Sequence, residues 1–153
     1  MERTLETDLK RWKLSPIRKP LLLLGARQVG KTWLMQHFGH KHFQSVVYIR
    51  FDRNERMRRI FETSNFDMQE LLLLIQAEAK TKVQAGETLI ILDEIQECPA
   101  ALTSLKYFCE DAPEYHIAVA GSLLGISLHK DVSYPVGKVD EIHVYPLNFA
   151  EFL

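Results

Sequence analysis

Leu21-Leu22-Leu23-Leu24-Gly25-Ala26-Arg27-Gln28-Val29-Gly30-Lys31-Thr32 is the stretch that decides how this chain of 153 residues is read. Four leucines running into a glycine are too few for a helix and have no polar face. They fit a strand buried on both faces of a sheet. The eight residues after them satisfy G-x-x-x-x-G-K-[ST] at every defined position. Glycines let successive backbone N–H groups turn inward around phosphate oxygens. A helix opening near Lys31 aims the positive end of its dipole at the same spot. Gly25, Ala26, Arg27, Gln28, Val29, Gly30, Lys31 and Thr32 are thus the expected phosphate cradle, with Lys31 on the β- and γ-phosphates and the Thr32 hydroxyl on Mg2+. Arg27 and Gln28 read equally well as contacts to phosphate or to a neighbouring subunit and as solvent-facing residues.

The matching half of a site lies downstream, where Leu89-Ile90-Ile91-Leu92 runs into Asp93-Glu94. Acids are costly inside an apolar strand, so two of them at its C-terminal end belong on the rim of a sheet, where ligands sit. Asp93 is expected in the Mg2+ shell beside Thr32, and Glu94 as the general base for an attacking water. The plainer alternative is that both acids merely begin a solvated loop.

Between these halves, Ser45 to Phe51 is β-branched and aromatic and reads as a second strand. Around them the spacing predicts helices at Glu2–Leu14, Thr32–Phe38 (ended by Gly39), Arg56–Glu62, Met68–Ala85 (capped by Gly86) and Pro99–Cys109. Further strands are expected at Thr88–Leu92, His116–Ala120 and Val139–Tyr145. Alternating strand and helix signals argue an α/β sandwich, a parallel sheet with helices on both faces. No repeat, low-complexity tract or linker divides residues 1–153, so one domain is expected.

Composition agrees: 46% hydrophobic and 25% charged residues exclude a disordered tail, a fibre and a disulfide miniprotein. No apolar run nears the roughly 18 residues of a membrane span, and no signal segment follows Met1, so a cytoplasmic protein with no membrane partner is expected. The net charge of −1 hides an uneven spread. Residues 1–60 hold 14 basic and 5 acidic side chains, and residues 61–153 hold 5 and 15. A basic front half can meet nucleotide, nucleic acid or the acidic half of another copy. Arg56, Arg58 and Arg59 lack interleaved stacking aromatics, so a solvated face is the better reading than nucleic-acid binding.

The Asp-Glu pair, one strand removed from the phosphate loop, resembles the P-loop ATPases that have an added strand and a catalytic glutamate. No Asn-Lys-x-Asp segment of the guanine-reading kind occurs, which favours ATP. In such a sheet the fourth strand lies between the first and third. Ser122, after Ala118-Val119-Ala120-Gly121, then reaches the γ-phosphate as a sensor, unless Gly121-Ser122 is only a turn.

With GARQVGKT (Gly25 to Thr32), LDEIQ (Leu92 to Gln96), GSLLG (Gly121 to Gly125), SYPVGKV (Ser133 to Val139) and YPLNFAEFL (Tyr145 to Leu153) in hand, the chain resembles AAA+-type ATPases. It is similar to the bacterial and archaeal predicted ATPases that carry a C-terminal domain of unknown function. The resemblance implies a three-layer P-loop NTPase sandwich, a five-stranded sheet in the order 5-1-4-3-2, ATP and Mg2+ as ligands, and assembly into homo-oligomers or with a protein partner. Two departures stand out. Lys138 replaces an arginine usual in the fifth-strand block, losing the planar fork that spans phosphate oxygens. The sequence also stops before the lid and C-terminal domain of its relatives, from which weak affinity and slow turnover are expected. A Mg2+-dependent ATPase and a nucleotide-gated interaction module with negligible turnover both fit these residues. His37, His40 and His42 do not have the neighbours of a metal site.

Overall fold

All five expected strands join one sheet in the order β2-β3-β4-β1-β5, and every neighbouring pair is parallel. Read from the other edge this is 5-1-4-3-2. The computed structural model describes residues 2–25, 30–121 and 137–144. In chain order the elements are α1 (Glu2–Leu14), β1 (Leu21–Leu24), α2 (Lys31–His42), β2 (Ser45–Arg50), α3 (Glu55–Thr63), α4 (Met68–Ala79), β3 (Thr88–Asp93), a 3-10 turn (Ile95–Glu97), α5 (Pro99–Asp111), β4 (His116–Gly121) and β5 (Asp140–His143). Ala26 to Val29, Ser122, the rest of the GSLLG block, most of the SYPVGKV block and the last nine residues lie outside the described residues.

The sheet is covered on both faces, which is why its central strands read as unbroken apolar runs. Leu21 and Leu23 of β1 face Leu34, Met35 and Phe38 of α2 and Leu9 and Trp12 of α1. Leu22 and Leu24 point the other way, into the layer of α3, α4 and α5 that contains Phe61, Leu71, Leu105 and Phe108. Each of the four leucines is nearly inaccessible, and burying one stabilises the fold by roughly 1.5–3 kcal/mol.

Register aligns the strand ends. Leu24 stands beside Gly121, Leu92 beside Val119 and Arg50 beside Asp93. The C-terminal ends of β1, β3 and β4 therefore meet on one rim. Parallel strands with helical crossovers place α2, α3 and α5 so that they start at this rim and run back to the opposite edge.

Two helix ends differ from expectation by more than two residues. Gly39 does not stop α2, which continues to His42. A Cβ at Gly39 would lie 2.8 Å from Val46 Cγ2 and 3.0 Å from Leu89 Cδ2. Glycine is used there for the close approach of helix to sheet, not for a turn. Helix α4 stops at Ala79 rather than running to Ala85, and Lys80, not Gly86, takes the left-handed closing position at φ 53°. Its start was legible: the Asp67 carboxylate accepts from the backbone N–H groups of Gln69 and Glu70. Trp12 is buried in the core, whereas Trp33 is 56% exposed and stacks on His37.

Candidate functional site at the strand C-terminal rim

Gly30 opens the site in the left-handed region at φ 80°, a conformation glycine adopts without strain. Helix α2 begins at the next residue. Its first turn carries no acid and its N-cap, Gly30, makes no side-chain cap bond, so the positive end of its dipole faces the rim. Lys31 folds back over this point. Its Nζ donates to the carbonyl oxygens of Gly25 at 2.9 Å and Gly121 at 2.8 Å, bridging the ends of β1 and β4. Burial pushes the pKa of Lys31 down, while Glu94 and Asp93 nearby oppose the shift.

Thr32, one residue on, turns to β3. Its hydroxyl donates to Asp93 Oδ2 at 2.7 Å. Asp93 is only 4% exposed, and a carboxylate in that position is tolerated because donors surround it. The Tyr48 hydroxyl also donates to Oδ2, and the Glu94 backbone N–H donates to Oδ1 at 2.9 Å. Tyr48 escaped the sequence reading. It sits two residues before the end of β2, and only the parallel register on β3, which sets it beside Ile91 and two residues short of Asp93, lets its hydroxyl reach that carboxylate. Burial, reinforced by the bond to Asp93, drives its pKa upward.

Glu94 leaves the strand in a left-handed conformation, φ 54° and ψ 48°. For a residue with a side chain this costs about 1–2 kcal/mol, and such strain gathers where a side chain must be aimed. Gln96 Nε2 donates to Glu94 Oε2 at 2.7 Å. The other amide atom of Gln96, Oε1, is buried and has no hydrogen-bond partner among the described residues. Lys31, Thr32, Asp93 and Glu94 thus come together at one rim. Ala26, Arg27, Gln28, Val29 and Ser122 lie outside the described residues.

Other candidates fall elsewhere. Lys138 precedes β5, whose Asp140 pairs with Leu21 at the far edge of the sheet, and its ammonium pairs with Glu110 at 3.1 Å. His42 meets Glu6 and His37 stacks on Trp33. Among the described residues no group of three or more potential metal ligands from His, Cys, Asp and Glu occurs. Cys98 is buried and its thiol pushed up to about 11, which makes it an inert core residue.

Residues 17–153 match the family described as the AAA domain. This chain belongs to that family. The AAA domain is an AAA+-type P-loop ATPase domain, a module that binds ATP. Its structure is similar to that of the Orc1 protein of Aeropyrum pernix, solved in complex with DNA, with a TM-score of 0.56 and 17% sequence identity. The match covers 96% of this chain and 44% of that one, so this AAA domain spans less than half the length of Orc1. At that identity the likeness is one of fold, and fold does not fix a biological task. No curated protein matches the chain. Among the described residues no helix is long and apolar enough to cross a membrane.

Proposed function

We propose that this domain binds ATP together with Mg2+ at the strand rim and hydrolyses it slowly. The observation that supports this most is the convergence of Lys31, the Thr32–Asp93 pair and Glu94 around the start of α2. An uncapped helix start without acids, beside a lysine ammonium, suits a polyanion. The donors fit the metal as well: a hydroxyl and a carboxylate, both hard oxygens, meet from separate elements at 2.7 Å. Mg2+ is held by few protein oxygens together with phosphate. Thr32 and Asp93 are the residues that would hold it, and when bound it supplies neutralisation of phosphate charge.

The chain's own groups then have distinct tasks. The backbone from Gly25 to Gly30 and the Lys31 ammonium hold the phosphates, and the Ser122 hydroxyl senses the γ-phosphate. Glu94 takes a proton from water as the water oxygen bonds to the γ-phosphorus. The bond to the bridging oxygen breaks, leaving ADP and phosphate. The Gln96 amide already occupies one oxygen of Glu94, which weakens it as a base and argues for slow turnover. Glu94→Gln is expected to lower turnover about 10²- to 10⁴-fold while the thermal shift with Mg2+-ATP survives. An unchanged rate would remove Glu94 as the base.

The same Gln96 contact favours a second reading, a nucleotide-gated interaction module that binds ATP without significant turnover. It predicts wild-type hydrolysis no faster than that of Lys31→Ala, with ATP-dependent association to another copy or a protein partner that ignores Glu94→Gln. Nucleic acid is the weaker partner. Orc1 was solved with DNA, but here Arg50 pairs with Asp52, Arg56 with Glu78 and Arg59 with Glu55. Binding that falls steeply with salt would revive it. Cys98 and Cys109 are free thiols, in keeping with action in the reducing cytoplasm.

A further inference from the structure

Asp93 Oδ2 accepts from two hydroxyls at once, Thr32 on α2 and Tyr48 on β2. A carboxylate oxygen has two lone-pair sites, so these two donors saturate it. Oδ1 accepts from the Glu94 backbone N–H, which leaves one of its sites for a further donor. The carboxylate is thereby oriented from three elements, and one oxygen is reserved by the protein itself.

We propose that Tyr48 is a positioning residue of the nucleotide site, which sets magnesium affinity by fixing the Asp93 carboxylate and reserving its Oδ2. With Oδ2 reserved, Oδ1 is the oxygen through which Asp93 would help hold the cation. Thr32 is free to serve both sides, because a hydroxyl can offer a lone pair to a cation while its proton stays on Asp93. Tyr48 has no such freedom. It is anchored in the second strand, half-buried, and its ring packs against the core beneath α1 and α2. Groups that orient metal-binding carboxylates contribute about 10- to 100-fold in metal affinity.

This inference rests on the nucleotide-site reading above, and one experiment separates the two. The melting temperature of the full chain is followed with ATP in EDTA, and then with ATP across a Mg2+ titration. Wild type is compared with Tyr48→Phe, Asp93→Asn and the double variant. Tyr48→Phe is expected to keep the EDTA shift and to raise the Mg2+ midpoint about 10- to 100-fold. Adding it to Asp93→Asn is expected to move the midpoint little further, since the hydroxyl acts through that carboxylate. A merely structural tyrosine would lower the melting temperature and weaken both shifts alike. If Tyr48→Phe does not fold, the pair Tyr48→Trp and Tyr48→Trp/Asp93→Asn makes the same comparison. Wild-type and Tyr48→Phe midpoints that coincide, or effects that add in the double variant, overturn the proposal and leave the site intact. A wild type with no Mg2+-dependent shift overturns both.

Discussion

The two edges of the sheet use the same kinds of side chain and reach opposite results. At the C-terminal rim, Lys31, Thr32, Asp93 and Glu94 surround the start of α2. At the other edge, Lys13, Arg18, Lys19, His116 and Asp140 surround the ends of α1 and α2. There the cations are taken up by carbonyls. Lys13 Nζ donates to His42 O at 2.6 Å, the Arg18 guanidinium to Lys13 O and Pro113 O, and Trp12 Nε1 to Lys19 O. Asp140 accepts from the Lys19 backbone N–H. The difference comes from helix polarity. One edge presents the positive N-terminal end of α2, while the other presents C-terminal C=O groups of α1 and α2 that Lys13 and Arg18 already satisfy. Charge type alone did not distinguish a binding site from a sealed end.

Breaking the first edge should have the largest effect. Wild type at a nucleotide concentration of about 100 times the dissociation constant should gain roughly 2.7 kcal/mol, a shift of roughly 5 to 10 °C for this size. Lys31→Ala should lose it while melting normally without ligand. A shift that persists in the variant would break the contrast between the edges.

The sealed edge makes a pH prediction. His116 lies beneath Trp12 and Phe43, with Nε2 against Lys13 O and Nδ1 without a partner among the described residues. Burial, with Arg18 and Lys13 nearby, lowers its pKa from 6.5 to about 4. The unfolded chain then binds more protons between those values, so this stability is complete above pH 6.5 and is lost as pH falls toward 4. The loss is on the order of 2 kcal/mol. Urea melts across that range should show His116→Phe flatter than wild type by this amount; parallel curves would mean the ring titrates normally.

Gly39 tests the layer between the edges. Gly39→Ala is expected to cost about 1–2 kcal/mol through the clash with Val46, despite alanine's higher helix propensity. A variant that melts higher than wild type would show that the helix can move off the sheet. The smallest effect belongs to Lys138→Ala. Its half-exposed pair with Glu110 is worth about 0–1 kcal/mol, and nucleotide binding by the isolated domain should not change. Loss of binding, measured by titration, would join the edges into one functional unit.

These cases also show how far the residues could be read. The identities of β1, β3 and β4 followed from apolar runs ending in glycine or acid and that of β2 from its β-branched and aromatic residues, while Lys31, Thr32, Asp93 and Glu94 were singled out by their types and spacing. Gly39 was misread because glycine marks both turns and close contacts, and only the neighbours Val46 and Leu89 decide which, whereas Gly86 does sit in a turn with positive φ but α4 has already closed at Lys80. Tyr48 was invisible because its partner is 45 residues away on another strand.

The sequence by itself determined most of the elements, the glycine-rich stretch ahead of α2 and the acids at a strand end, since each depends on residues close together in the chain. Tertiary structure alone decided that Tyr48 shares an oxygen with Thr32, that Gln96 holds Glu94, and that Lys138 belongs to the sealed edge. Those facts depend on strand order and register, which are settled by burying both faces of one sheet at once and not by any local stretch of residues.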